Sequence, residues 1–279
     1  MGMLQKYDTL KSSILLAIAA AGGLTIAPFA TAEVACHGAD GYGPTVATYV
    51  TEASACIAAS EAIRTDFADE LVERMNRDRA ATGIKALQRR TSLDKAAQAH
   101  ALDMATRNYA DHLDKEGRDH LFRVRAFDRS MLAGNTGANV LISESGADAA
   151  DIYVAMLEDE LNAENLAREG FTHVGLGVVR HGSISYVVQV FTTMEGELTQ
   201  DLPLTLAGTT PIRANLAGKS NEAVAWGITD AVSGEVIAKG NTSRVRASRL
   251  GTSPAAALDI VVSASTDLLV LKGPLVSAR

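Results

Sequence analysis

The sequence predicts an α+β protein, and three observations support that class. Apolar residues recur at helical spacing over about residues 66–81 and again from about 91 to 105. Side-chain types alternate along residues 172–192, as they do in two strands joined by a tight turn. Beyond residue 203, short apolar runs are separated by turn residues, a pattern typical of β-structure. We therefore expect helices and a hairpin first, followed by a small β-rich C-terminal region.

The composition is that of a folded protein. The chain has 279 residues, of which 47% are hydrophobic and 21% are charged, so it can bury a full core. Its formal charge is −7 and its pI about 5.4, with no evident basic stripe. These values argue against a nucleic-acid partner.

Residues 1–32 are typical of a signal peptide. Lys6 and Lys11 precede a short apolar run at 14–21, and Ala30-Thr31-Ala32 provides a small-residue cleavage site. The alternative is a membrane anchor, but glycines and a proline interrupt the run before it reaches the ~20 residues that a spanning helix needs. We expect an exported protein, periplasmic or secreted, that is not an integral membrane protein after cleavage.

Cys36 and Cys56 are the two cysteines of the chain. Outside the cytoplasm a disulfide between them is the expected state. It would strap residues 33–60 as an N-terminal extension across a glycine-rich loop. A metal or redox pair involving His37 is the alternative, which no Cys-x-x-Cys spacing supports.

The first predicted core helix spans about Asp66 to Ala81. Its buried stripe is apolar, and its charged residues, Arg79 included, are assigned to the solvated face. Thr91 or Ser92 can cap the second helix. His100 falls on the apolar face of that second helix, and we interpret it as a packed, hydrogen-bonded core histidine rather than a ligand.

His112 follows the second helix in a polar loop with Asp111, Asp114 and Glu116. Neighbouring carboxylates raise the basicity of an imidazole and fix its tautomer, which suits a metal ligand or a general base. A solvated loop histidine is the alternative. A weak calcium site on the three acids is a further alternative, although their spacing matches no defined loop. His120 is expected at the surface.

The hairpin is predicted with its turn at His181-Gly182 and with both strands central, between helices. Gly175 and Gly177 indicate close approach of a helix or a ligand. The C-terminal region, residues 203–279, is predicted as a small β-sandwich or as strands added to the sheet. Trp226 is assigned to the core rather than to a carbohydrate platform. The apolar runs of this region are Leu204–Leu206, Val224–Ile228, Val236–Ala238, Leu258–Val262 and Leu268–Leu271.

Six pieces in one order resemble the CAP superfamily, the group of cysteine-rich secretory proteins, antigen 5 and pathogenesis-related proteins, in its bacterial SCP-like form. The resemblance covers about the middle two-fifths of the chain. It implies a three-layer α-β-α sandwich over residues 61–196 of a secreted protein. The pieces are the helix at 96–105, the loop at 109–114, Gly137-Ala138-Asn139-Val140, the helical segment near Met156, and residues 171–178 and 185–191.

The resemblance also implies a cleft in which two histidines and one or two acids can hold a divalent metal. His112 matches the first histidine, but Ala138 stands where the family has an acid, and Asn162 stands at the second histidine. The family also has a tryptophan followed three residues later by a polar residue. In this sequence Met156 stands at the tryptophan position and Asp159 at the polar position. The predicted cleft is therefore His112, Asn139, Asp159 and Asn162. An amide oxygen is a poor zinc ligand, so no metal is expected beyond a weak divalent site at His112 and Asp159.

Three functions follow as hypotheses. The first is a non-catalytic binding module for an envelope ligand, which could be a polymer, a lipid or a protein. The second is a hydrolase, with His112 as base oriented by Asp159, although the sequence has no G-x-S-x-G or H-E-x-x-H motif. The third is a structural role in the envelope with no ligand in the cleft.

Overall fold

A computed structural model describes residues 38–144, 146–218, 222–264 and 267–278. The predicted signal peptide and Cys36 lie outside the described residues, so cleavage and the Cys36–Cys56 bridge stay predictions. Cys56 itself is buried in the first helix. None of the helices in the described part of the chain is long and apolar enough to cross a membrane.

The α-helices in the described residues number six. The predicted helix at about 66–81 is confirmed, and it buries Ala68, Leu71 and Met75. The predicted extension 33–60 contains a helix of its own, with Val46 and Tyr49 buried. The helices are α1 Val46–Ala59, α2 Thr65–Ala81, α3 Thr91–Arg107, α4 His120–Phe127, α5 Ala149–Glu158 and α6 Glu160–Ala167.

The strands form one large mixed sheet and one small two-stranded sheet. The large sheet has the order β1-β3-β4-β2-β12-β11-β8-β9, with β5 and β7 paired at its side, and β10 pairs with β6. The strands are β1 Gln88–Arg89, β2 Met131–Glu144, β3 His173–His181, β4 Ile184–Leu198, β5 Thr205–Leu206, β6 Thr209–Pro211, β7 Ala214–Leu216, β8 Glu222–Asp230, β9 Val236–Gly240, β10 Arg244–Arg246, β11 Ala256–Ala264 and β12 Asp267–Ala278.

Helices cover both faces of the sheet around β3 and β4, as the α-β-α prediction requires. Val187 and Phe191 of β4 pack with α2, α5 and α6 on one face. Val188 and Val190 alternate with them and pack with α3 and α4 on the other face. On this second face Gly175 and Gly177 meet α3, where a Cβ atom would overlap backbone atoms of the helix. The close approach predicted for these glycines is therefore to a helix.

The C-terminal strands continue the same sheet. Lys272 of β12 pairs with Ala133 of β2, and β11, β8 and β9 follow outward. Every predicted apolar run of this region lies within or overlaps a strand, and Trp226 is 7% exposed in its core. The strands are thus an addition to the central sheet, one of the two arrangements that the sequence left open.

Two local predictions are wrong by small margins. His181 pairs with Ile184, so the hairpin loop is Gly182-Ser183, with Gly182 at a φ of +58°. Arg90 is the N-cap of α3 and forms no side-chain cap bond. The hydroxyl of Ser92 donates instead to the Asp128 carboxylate.

Asn76 and Arg79 of α2 tie the helix to its surroundings. The Asn76 amide exchanges two hydrogen bonds with the backbone of Leu87, at 3.0 and 2.8 Å. Arg79 is 2% exposed, which contradicts its assignment to the solvated face. Its guanidinium donates to the carbonyls of Lys85 at 2.9 Å and Leu166 at 2.8 Å. It is buried because these carbonyls require donors.

Candidate functional site

His112 lies in the loop that joins α3 to α4, and its side chain is exposed. Its backbone carbonyl accepts a 2.8 Å hydrogen bond from the guanidinium of Arg123. Arg123 belongs to α4 and is 1% exposed. Arg123 therefore holds the backbone of His112 in place and leaves the imidazole at the surface.

Two of the three acids near His112, Asp114 and Glu116, are bound to arginines, whereas Asp111 accepts a 3.1 Å hydrogen bond from the backbone of Leu113. Asp114 is buried and accepts hydrogen bonds from the Arg118 backbone at 2.7 Å and from the Arg118 guanidinium at 2.6 Å. Glu116 pairs with Arg107 at 2.6 Å and with Arg118 at 2.9 Å. The hydrogen bond from Arg107 lowers the pKa of Glu116. A calcium ion at Asp114 and Glu116 would have to displace guanidinium groups from them.

Two further histidines lie on the same side of the sheet. The Nε2 of His100 is 2.7 Å from the carbonyl oxygen of Asp111 and donates to it. Burial lowers the pKa of His100 to about 2, so the ring is neutral. Burial also lowers the pKa of His120, whose Nε2 is 3.2 Å from the Thr136 hydroxyl. The charge of His112 contributes to both pKa shifts, which places the three imidazoles within electrostatic reach of one another.

Two of the histidine predictions can be compared with these positions. His100 is 1% exposed and hydrogen-bonded, so the core interpretation is confirmed. His120 is half-buried against β2 rather than at the surface. The Asp119 side chain caps α4 and sets His120 at its first turn.

Asn139 lies at the centre of an amide network. It is fully buried on β2, and its Nδ2 donates to the backbone carbonyl of Asn162 at 3.1 Å and to the Gln189 side chain at 3.0 Å. Its Oδ1 accepts from the Asn165 amide at 2.9 Å. Three hydrogen bonds thus use the Asn139 carboxamide within the fold.

Asp159 caps the N-terminus of α6. Its exposed carboxylate accepts a 2.8 Å hydrogen bond from the backbone nitrogen of Asn162. Such a bond satisfies one of the free donors of the first helical turn. Asn139, Asp159 and Asn162 are therefore close together, linked through the backbone of Asn162.

Strand β2 separates His112 from these three residues. From Thr136 to Glu144 the register with β4 is regular, so side chains alternate between the two faces. Thr136 and Ala138 project to the face of α4, His112 and His120. Asn139 projects to the face of α6. Within the described residues, no hydrogen bond or ion pair joins His112 to Asp159 or Asn162.

Sequence reasoning missed three residues of this region, His120, Arg123 and Gln189. The family pattern has no counterpart for His120, and a lone arginine or glutamine in a helix or strand carries no local signal of its partners. The sequence did contain one signal for α4, the helix that carries His120 and Arg123. Asp119 precedes a segment compatible with a helix, which is the position of an N-cap residue. In the described part of the chain, no three His, Cys, Asp or Glu side chains are grouped so that they could hold a metal ion.

Comparison with known proteins identifies the domain. The profile of the cysteine-rich secretory protein family, CAP, matches residues 72–192. Protein YkwD of Bacillus subtilis strain 168 is 30% identical over 115 residues, which are 41% of this chain and 43% of YkwD. The chain thus spans less than half the length of that relative.

Solved structures align with a similar share of the chain. An outer surface protein from Borrelia burgdorferi is 17% identical, with a TM-score of 0.41, over 46% of this chain and 93% of that one. An extracellular protein containing an SCP domain from Bacillus anthracis is 24% identical, with a TM-score of 0.36, over 44% of this chain and 39% of that one. Residues 72–192 thus match the CAP family model, and the similarity to YkwD supports a bacterial CAP domain over this part of the chain.

Proposed function

We propose that this protein is an exported, non-catalytic binding module of the cell envelope or extracellular space. The observation that carries the proposal is the use of the Asn139 carboxamide. Its three hydrogen bonds all go to the protein, so the most buried polar group of the predicted cleft stabilises the fold and is not available to a reaction. The His112 imidazole remains at the surface, and no acid among the described residues hydrogen-bonds to it.

The residues at the family's metal positions do not fit a tight zinc site. Ala138 offers no donor, and the amide of Asn162 is a weak ligand for zinc. Asp159 already caps α6, and within the described residues no hydrogen bond joins it to His112. We therefore infer that this domain lacks the three or four donors that hold zinc firmly, and no step of its function is assigned to a metal.

The alternative is a hydrolase in which His112 acts as base. A general base works when a partner fixes its tautomer and when a nucleophile lies within hydrogen-bond reach. Of the carboxylates in the loop of His112, Glu116 and Asp114 are held by Arg107 and Arg118, and Asp111 accepts a hydrogen bond from the Leu113 backbone. This arrangement favours binding over catalysis.

Export is part of the proposal and rests on the sequence. The leader-like residues 1–32 and the cysteine pair both suit an oxidising compartment, periplasmic or extracellular. The ligand is then an envelope polymer, a lipid or a protein.

The test combines a binding assay with an activity assay. The purified protein is mixed with isolated envelope polymer, envelope lipid vesicles and envelope protein, and its retention is measured. A panel of ester and peptide substrates is assayed in parallel, with His112→Ala and, as a control, His181→Ala at an exposed hairpin position.

We expect retention on one envelope fraction and no hydrolysis by any variant. Hydrolysis by the wild type that His112→Ala abolishes and His181→Ala preserves would establish the hydrolase instead. Absence of retention on all three fractions would favour the purely structural role.

A further inference from the structure

A groove at the outer end of the C-terminal sheet is lined by cations. One cavity of about 350 Å³ lies beside β9 and β10. A second cavity of about 240 Å³ shares Arg244 with it and extends the line of cations to Arg213. We call this surface the basic groove. Its cations are Arg213, Lys239, Arg244, Arg246 and Arg249.

The charge of the groove opposes that of the chain. The whole protein carries a formal charge of −7, whereas residues 236–258 contain four cations and neither Asp nor Glu. The described residues that line the two cavities likewise include no carboxylate. An acidic protein therefore presents one local surface of positive potential, which attracts anions.

These cations also differ in their partners from four arginines of the CAP domain. Arg90, Arg107, Arg118 and Arg125 each form an ion pair with a carboxylate. Within the described residues, none of the five groove side chains forms an ion pair or a hydrogen bond. Like charges placed together repel one another, and a bound anion removes that repulsion. Four of the five are arginines, whose planar guanidinium binds carboxylate or phosphate through two parallel hydrogen bonds.

Uncharged groups in the groove suit a sugar. Asn241 and Thr242 are exposed in the larger cavity and offer an amide and a hydroxyl. The indole of Trp226 forms part of the wall, because Gly240 has no Cβ to fill the space against the ring. Hydroxyl-rich ligands use such polar groups beside an aromatic wall.

We propose that the basic groove binds an anionic polysaccharide, with its acidic groups on the arginines and its hydroxyls on Asn241 and Thr242. Two neighbouring cavities that are both lined by Arg244 suit a chain of several units rather than a single ion. Single-stranded nucleic acid is less suited, because its bases stack on exposed aromatic faces and Trp226 is only 7% exposed. For the same reason Trp226 is too recessed to enter a lipid bilayer. The site is separate from the CAP domain, so the proposal does not depend on the cleft.

The test measures binding of the full chain to alginate, a polymer of uronic acids, with uncharged dextran as the reference. The variant replaces three groove cations, Arg244→Gln, Arg246→Gln and Arg249→Gln. The control removes the same charge from exposed positions of the CAP domain, with Arg77→Gln, Lys85→Gln and Lys95→Gln. Circular dichroism and thermal unfolding confirm that both variants fold.

We expect salt-sensitive binding to alginate and none to dextran. Each exposed arginine should contribute roughly two- to five-fold, so the groove variant should bind at least about tenfold more weakly. The control variant should stay within about twofold of the wild type. Equal losses in both triple variants would show that net charge alone governs binding and would overturn the proposal. Failure to bind alginate would overturn it as well.

Two further probes separate the other anionic partners. A single-stranded oligonucleotide and vesicles containing phosphatidylglycerol are titrated at matched ionic strength. Tighter binding of either probe than of alginate, lost in the groove variant, would reassign the groove to nucleic acid or to membrane. Retention of the groove variant and of His112→Ala on the envelope fractions is then compared. A loss in the groove variant alone assigns retention to the groove, and a loss in His112→Ala alone assigns it to the CAP cleft.

Discussion

The polar residues on the two faces of strand β2 differ in how far they are hydrogen-bonded within the fold. On the face toward α6, the amides of Asn139 and Asn165 are consumed by hydrogen bonds within the fold. On the face toward α4, His112 keeps an exposed ring and His120 contacts a single hydroxyl. Ala138, at the family's acid position, lies on this imidazole face. One face therefore stabilises the domain through its amides, whereas the other carries imidazoles with few hydrogen-bond partners among the described residues.

The largest effect should come from the amide face. Replacing Asn139 by Ala removes three hydrogen bonds and leaves partners unpaired in a fully buried position. We expect a loss of about 2–4 kcal/mol in the free energy of unfolding, measured with urea. Thr136→Ala, three residues away on the other face, is the control and should cost less than ~1 kcal/mol. Equal losses would contradict the division between the faces.

The imidazole face should govern the response to acid. Burial lowers the pKa of His100 to about 2, whereas the unfolded chain protonates this ring near pH ~6.5. Below that pH the unfolded state binds a proton that the folded state does not. Stability is therefore complete above pH ~6.5 and falls below it by up to about 1.4 kcal/mol per pH unit.

His100→Gln keeps a donor for the Asp111 carbonyl and removes the titration. Its unfolding free energy, measured between pH 7.5 and pH 5, should decline less steeply than that of the wild type. His181→Gln, at the exposed hairpin end, should leave the slope unchanged. A wild-type slope in His100→Gln would show that this ring is not the group that resists acid.

A smaller effect is expected at the helix cap that links Asp159 to Asn162. Asp159→Ala removes the acceptor for the Asn162 backbone and should cost about 1 kcal/mol. Asp159→Asn retains a capping oxygen and should cost only a few tenths. Thermal unfolding of both variants measures the two losses in stability, which should differ if Asp159 is a structural cap. If Asp159 were a catalytic carboxylate, both substitutions would reduce an activity to the same extent.

Much of the fold could be predicted because local patterns determine it. The 3.6-residue spacing of apolar side chains located α2 to within one residue, and the apolar runs located the C-terminal strands. The turn of the hairpin was displaced by one residue, since Gly182 fits either position of a two-residue loop. Helix α1 was missed because the glycine-rich segment before it obscured the stripe of Val46, Tyr49 and Ala53.

The site was less predictable because its contacts are distant in sequence. Arg79 was assigned to solvent, although its partners include Leu166, 87 residues away. The assignment of Asn139 to a cleft stays a prediction, and the sequence could not show that Gln189 and Asn165 hydrogen-bond with its amide. The family pattern identified His112 but could not show on which face of β2 each residue lies. The basic groove had a readable signal, the absence of acids between Glu235 and Asp259.

Whether the domain still holds a metal can be decided by calorimetric titration of zinc into the metal-stripped protein. We expect no tight binding by the wild type and no difference in His112→Ala, because the acid and the second imidazole of the family site are replaced by Ala138 and Asn162. Tight binding of one zinc ion per chain, lost in His112→Ala, would contradict the loss of the metal site.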